Sequence, residues 1–246
     1  MAELVTRDDS DGCATLTQNR PEALNALSPS MFVELRAHID ALAGQTETVG
    51  VVVLTGAGRS FSAGNDLKAI QAGEVAPSAH FQAETIDALE ALPQPVIAAV
   101  KGHCYTGSLE LALGCDLIVA GESAKFCDTH GKWGMSPTWG MGSRLPRRVG
   151  VQRAKELMYS GRVVSGEEAV RIGLALECVP DDELAVRVAR LAAGFCENSW
   201  FTLRADKMLV NGALARPGAE GPQWERANSP GRGPDMEARL AAFSKK

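Results

Sequence analysis

The chain lacks most of the devices that mark specialised protein classes. Its six cysteines, at positions 13, 104, 115, 127, 178 and 196, form no C-x-x-C pair and fit no zinc spacing. Its four histidines include no H-E-x-x-H. No structural or catalytic metal is therefore expected. The cysteines read as free thiols used as small hydrophobes in a reducing compartment. No continuous apolar run approaches the ~18 residues that would suggest a membrane span. Residues 1–10 carry Glu3, Arg7, Asp8 and Asp9 and lack the apolar centre of a secretory signal, so a cytoplasmic location is expected. Neither sign of charge dominates. The 25 basic and 30 acidic residues leave a net charge of -5, which argues against a protein that coats nucleic acid. An anionic small ligand stays open, because a few local Lys or Arg residues suffice for that. No internal repeat and no low-complexity tract is present.

What remains is ordinary globular material. With 246 residues, 45% hydrophobic, the chain is long enough for one or two domains and for a core that needs no staples. Residues 3–6 and 14–17 are strand-like runs around the turn-forming residues 8–12 (DDSDG), a predicted hairpin. Ser28 before Pro29 is a helix start, and Phe32, Leu35, Ile39 and Leu42 follow at helical spacing up to Gly44. Residues 49–55 (VGVVVLT), 95–100 (PVIAAV), 117–120 (LIVA) and, more weakly, 176–179 are short apolar runs. They predict strands covered on both faces, and the helical stretches between them predict parallel crossover units. Residues 152–159 predict a helix stopped by Gly161. Ser165 and Glu168 have capping-box spacing in a helix closed by Gly173, and Asp181, Asp182 and Glu183 open another. Beyond Cys196 the strand signals end. Helices are expected there, interrupted over residues 211–234, which hold five Gly and four Pro.

Three segments carry chemistry. Residues 61–68 (FSAGNDLK) follow the first apolar strand, where a parallel sheet presents backbone N–H groups to ligands; the plain alternative is a turn. Residues 100–110 (VKGHCYTGSLE) pass from strand through a two-glycine loop into a helix near Gly107. The first-turn amides of that helix have no internal partner and can face an anionic oxygen. Glu110 lies in this turn, and its competing role is to favour the helix dipole. Residues 126–134 (FCDTHGKWG) place Asp128 and His130 two apart after the third strand; a lone histidine is more often structural than catalytic.

The order and spacing of residues 20–27 (RPEALNAL), 61–68 (FSAGNDLK) and 95–120 (PVIAAVKGHCYTGSLELALGCDLIVA) resemble the crotonase superfamily, the enoyl-CoA hydratase/isomerase family. The likeness continues through Ser160, Gly161, Glu168, Ala169, Gly173 and Leu174 and covers roughly residues 1–200. The resemblance implies an α/β, crotonase-like (ClpP/crotonase) spiral of ββα units with a helical C-terminal region. It assigns residues 1–196 to acyl-CoA binding and catalysis and residues 197–246 to oligomerisation, as a homotrimer or a dimer of trimers. It implies that the backbone N–H groups of Asn65 and Gly107 form an oxyanion hole and that Glu110 is a catalytic carboxylate. By the same resemblance Ala23, Leu24, Ala63, Gly64, Asp66, Leu67 and Lys68 contact coenzyme A. The coenzyme enters as part of the substrate, with no further cofactor. Trp133 and Trp139 are placed in or over the acyl pocket, with ordinary packing as the alternative.

The chemistry suits these roles. Reaction beside a thioester pushes charge onto the carbonyl oxygen, and two fixed N–H donors stabilise that charge. The chain departs from the family at His130, which stands where hydratases carry a second glutamate, and at Thr106-Gly107-Ser108, which replaces a run of glycines. An imidazole titrates near neutrality and can act as general acid or base. Hydration of a 2-enoyl-CoA by Glu110 and His130 is the first expectation. A double-bond isomerase and a catalytically silent acyl-CoA-binding protein are the alternatives.

Overall fold

The computed structural model describes residues 3–243. Strands β1 (Val5–Ser10) and β2 (Cys13–Gln18) form the hairpin, in the register Ser10↔Cys13. The turn is shorter than expected. Only Asp11 and Gly12 make it, both at positive φ (50° and 79°), the backbone that matches a hairpin's twist. Asp8, Asp9 and Ser10 belong to β1, an edge strand that carries their exposed side chains without burying charge.

The chain continues through β3 (Val51–Gly56), β4 (Val96–Val100), β5 (His103–Tyr105), β6 (Leu117–Gly121), β7 (Lys125–Cys127), β8 (Val164–Ser165) and β9 (Glu177–Val179). One sheet has the order β1-β2-β3-β4-β6-β9 and is parallel from β2 onward. The other is β5-β7-β8, with β5 and β7 parallel. From β4 to β7 successive strands alternate between the two sheets, which is how the chain spirals. The architecture is the expected crotonase-like α/β fold with a helical C-terminal region.

Period-two alternation divides the central strands between two cores. Val52, Leu54, Val96, Ala98, Val100, Ile118 and Ala120 share one with Phe32, Leu35 and Ile39 of helix Pro29–Ala43. Val51, Val53, Ile97, Ala99 and Val119 share the other with Leu184, Val188 and Ala192 of helix Leu184–Cys196. The helix starts behave as their caps dictate: Ser28 Oγ accepts from Met31 N at 3.2 Å. Ser165 Oγ likewise accepts from Glu168 N at 3.2 Å. The capping box is only half made, because the Glu168 carboxylate turns to Arg162 at 2.8 Å.

The Gly/Pro-rich segment is more ordered than its composition suggests. Helix Trp200–Leu214 runs into it, and helix Glu220–Asn228 forms inside it. Gly212 makes this possible, since a Cβ there would lie 2.0 Å from the Trp224 ring. Pro222 sits in a first helical turn, where no hydrogen bond is lost. Helix Met236–Phe243 ends the described chain. Among the described residues no helix is long and apolar enough to cross a membrane.

Candidate active site

Three loops meet, each following a strand. The first contains Asn65. Its path is set by the 20–27 segment, where Asn25 (φ 54°) accepts Arg20 N through Oδ1 and donates through Nδ2 to Ala57 O and Ser60 O at 2.9 and 2.7 Å. Main-chain bonds Ala63 N to Leu24 O (2.9 Å) and Leu27 N to Gly64 O (2.8 Å) bring Ala23 and Leu24 beside Ala63 and Gly64. Asp66 caps the short helix Leu67–Gln71, accepting from Lys68 N and Ala69 N at 3.0 Å, and its other oxygen lies 2.6 Å from Arg20 Nη2. Burial pushes the Asp66 carboxyl up. The Ala69 N–H, the Arg20 guanidinium and the Lys68 N–H outweigh that and hold it below the usual carboxylate range. Leu67 and Lys68 stand exposed on this helix.

The second loop leaves β5 through Thr106 and enters helix Gly107–Leu113. It lies against the first: Ser62 N donates to His103 O at 2.9 Å, and a Cβ on Gly64 (φ 99°) would fall 2.6 Å from Tyr105 O. Only glycine fits there. The N–H groups of Asn65 and Gly107 donate to no acceptor among the described residues.

Glu110 is 1% exposed. Its Oε1 accepts from Trp139 N (2.9 Å) and Met141 N (3.0 Å), leaving Oε2 to face His130 Nε2 at 3.8 Å. The third loop follows β7 and brings Asp128 to His130, with Oδ1 2.6 Å from Nδ1 and 3.0 Å from the His130 N–H. The structure thus assembles a row Asp128–His130–Glu110. Burial raises the Glu110 carboxyl above its ordinary range, further helped by the Asp128 charge; the Met141 and Trp139 amides and His130 offset only part of this. Burial alone would lower the imidazole of His130. The hydrogen bond and charge of Asp128, with Glu110, reverse that and raise it above 6.5.

Trp139 packs its ring over Gly107, whose Cβ would meet Cζ3 at 2.3 Å, and contacts Phe32 edge-on at 5.2 Å. Trp133, on the turn His130–Trp133, is 64% exposed. The residues that sequence reasoning missed are supporting ones. Arg144, almost buried, donates to Trp139 O at 2.8 Å and is anchored by Glu90 (2.7 Å) and Asp87 (2.5 Å) of helix Phe81–Glu90, so it fixes the strand of backbone that holds Glu110. Among the described residues no group of three or more His, Cys, Asp or Glu is arranged to hold a metal ion.

Known proteins share this arrangement of elements. The profile of the family described as enoyl-CoA hydratase/isomerase matches residues 8–229. A probable enoyl-CoA hydratase of Mycobacterium bovis is 34% identical over 251 aligned positions, covering 99% of this chain and 95% of that one. An enoyl-CoA hydratase structure from Bacillus anthracis superposes with a TM-score of 0.92 at 32% identity, covering 98% of this chain and 96% of that one. A putative enoyl-CoA hydratase from Thermobifida fusca, solved in complex with CoA, gives a TM-score of 0.84 at 32% identity, covering 99% and 95%. With a profile match across most of its length and relatives aligned nearly end to end, the chain belongs to the enoyl-CoA hydratase/isomerase family of enzymes.

Proposed function

We propose that the protein adds water across the double bond of a 2-enoyl-CoA, with Glu110 and His130 as the acid–base pair. One observation carries this reading: a buried carboxylate with one oxygen pinned by two amides and the other 3.8 Å from an imidazole nitrogen. A water oxygen about 2.8 Å from each of those two atoms is compatible with that separation. The thioester oxygen lies between the N–H groups of Asn65 and Gly107. Glu110 takes a proton from water as its oxygen bonds to the β-carbon, and the electron pair of the double bond moves toward the thioester as enolate. Imidazolium Nε2–H of His130 delivers a proton to the α-carbon. The proton on Glu110 then returns to His130, and the pair is reset. Asp128 positions the ring and stabilises its charged form.

Ala23, Leu24, Ala63, Gly64, Asp66, Leu67 and Lys68 hold the coenzyme A portion in this reading. Their gathering around the 63–68 turn supports it. Trp139, stacked on Gly107, bounds the acyl pocket, and Trp133 covers it only if a substrate or a second subunit draws it in. Helices beyond residue 199 expose Met208, Val210 and Leu214, which supports subunit contacts in a homotrimer or a dimer of trimers. The reaction belongs in the cytoplasm and uses no cofactor besides the coenzyme A of the substrate.

A panel of 2- and 3-enoyl-CoA thioesters, with products identified by mass spectrometry, tests the reading. A 3-hydroxyacyl-CoA product supports it. Conversion of 3-enoyl to 2-enoyl thioester without a hydroxyacyl product replaces it with isomerisation. Tight binding without any turnover replaces it with a silent binder.

A further inference from the structure

We propose that Thr106 and Ser108 are positioning residues: their hydroxyls, on either side of Gly107, register its amide against the Asn65 loop and against the Asp128–His130 loop. The inference rests on the oxyanion-hole reading above and says what holds that hole in shape.

Ser108 is fully buried. Its Oγ lies 2.8 Å from Ser62 O in the first loop and 3.0 Å from Tyr105 O in the second, so one hydroxyl proton is shared between them. The main-chain ladder is weak at this point: Tyr105 N reaches Ser62 O only at 3.4 Å, while Ser62 N reaches His103 O at 2.9 Å. Toward the Asn65 end, the two loops are therefore held together by a side chain. Within the first loop, Ser62 Oγ accepts from Gly64 N at 3.2 Å and so shapes the turn that leads to Asn65.

Thr106 faces the other loop. Its backbone (φ 54°, ψ -110°) is a conformation that favours glycine and strains a β-branched residue. A threonine there must gain something. Its Oγ1 is hydrogen-bonded to Thr129 Oγ1 and accepts from Thr129 N at 3.2 Å, and its own N–H donates to Cys127 O at 2.8 Å. Thr129 lies between Asp128 and His130. The hydroxyl thus ties the oxyanion amide at residue 107 to the backbone that aims the imidazole. Donors and proton carrier must be registered to a fraction of an ångström, since a misplacement near 1 Å costs on the order of 10²-fold in rate.

The test compares the full-length wild type with Thr106→Val, Thr106→Ser and Ser108→Ala. For each variant kcat, KM and Tm are measured, together with the infrared stretch of a bound enoyl-CoA labelled with ¹³C at the thioester carbonyl. Thr106→Val and Ser108→Ala are expected to lose roughly 10- to 100-fold in kcat with KM within about threefold, and the carbonyl stretch is expected to return toward its free value. Thr106→Ser is expected to recover both kcat and the stretch. If Val and Ala leave kcat and the stretch at wild-type values, the proposal is wrong. It is equally wrong if kcat falls only in step with Tm while the stretch stays shifted. Should Ser108→Ala fail to fold, the Val and Ser pair at position 106 still decides. The two readings separate cleanly: a wild type that shifts the carbonyl but does not hydrate overturns only the reaction, whereas one that does not shift it overturns both.

Discussion

Asp128 and His130 are joined twice by one oxygen: Asp128 Oδ1 takes the ring at Nδ1 (2.6 Å) and the main-chain N–H (3.0 Å) of His130. An ionised carboxylate only accepts, so Nδ1 carries the hydrogen and Nε2 is the atom turned toward Glu110. Two contacts in a tight turn leave the imidazole little freedom to rotate. The same carboxylate favours the imidazolium, which is why the group titrates above its ordinary value despite burial.

Asp128→Asn keeps a hydrogen-bond acceptor and removes the charge. The imidazolium loses its main stabiliser, so the His130 pKa falls and the corresponding limb of the pH–rate profile moves to lower pH. A drop in kcat of roughly 10²- to 10⁴-fold at neutral pH accompanies it, the scale on which losing a carboxylate that orients an acid–base histidine slows a reaction. Profiles of kcat against pH for the two proteins check this. An unmoved limb means that His130 is not the titrating group.

Glu110→Gln separates chemistry from architecture. The amide oxygen of Gln can still accept from Trp139 N and Met141 N, the bonds that fix the native carboxylate. Tm is therefore expected within a few degrees of wild type, and the Kd for an acyl-CoA within about threefold. Proton transfer is lost, with kcat falling by at least ~10²-fold. Near-normal turnover would remove Glu110 from the mechanism.

The same contrast explains what could be read from residues alone. The central strands and the capped helices were legible because their signals are local: β-branched runs in 49–55 and 95–100, and Ser28 before Pro29. Strands β5, β7 and β8, two or three residues each, have no pattern of their own and exist only by pairing with one another. They deliver Thr106 and Asp128 to the site, so the supporting contacts were hidden with them. The roles given to Asn65, Gly107, Glu110 and His130 come from family spacing, not from periodicity. Arg144 was invisible because its partners Asp87 and Glu90 are more than fifty positions away and meet it only in the folded chain. The hairpin forms as its pattern predicts, but its turn is shorter for the opposite reason: DDSDG looks like five turn residues, yet an edge strand accepts the first three.

Gly64→Ala and Gly107→Ala are expected to fail differently. A methyl at residue 64 meets the Tyr105 carbonyl at 2.6 Å and must also adopt φ 99°. Backbone against backbone cannot yield easily, so stability falls by about 1–3 kcal/mol. At ~2–4 °C per kcal/mol for a chain of this size, that is a Tm loss of several degrees. At residue 107 the obstacle is the Trp139 ring at 2.3 Å, a side chain that can move. Here kcat is expected to drop ~10²-fold with a smaller Tm change. The double variant Gly107→Ala with Trp139→Ala should regain part of kcat, a non-additivity visible in a double-mutant cycle. Strict additivity would deny the contact between ring and amide a role in placing Gly107.

Asp66 ties stability to pH. Its carboxyl is held below 3.8 in the folded chain by the Ala69 and Lys68 amides and by Arg20, which together outweigh the effect of burial. A folded value below the unfolded one means that the unfolded chain binds the proton first as acid is added. The stabilisation is therefore complete above about pH 4–5 and disappears as pH falls through the folded value. Asp66→Asn keeps the helix cap and loses the charge facing Arg20, whereas Asp66→Ala loses both. Removing a cap costs about 1 kcal/mol. Asp66→Ala should thus melt a further ~2–4 °C below Asp66→Asn at neutral pH. Calorimetry from pH 7 to pH 3 gives the decisive comparison. The Tm gap between wild type and Asp66→Asn should be widest at neutrality and narrow as pH falls below about 4–5, because the unfolded chain then takes up a proton that the folded carboxyl, held down by Arg20 and the two amides, still refuses. A gap that stays constant over that range would show that the Arg20–Asp66 pair stabilises nothing through its charge, and the turn carrying Asn65 would have to be held by its main-chain bonds to Leu24 and Leu27 alone.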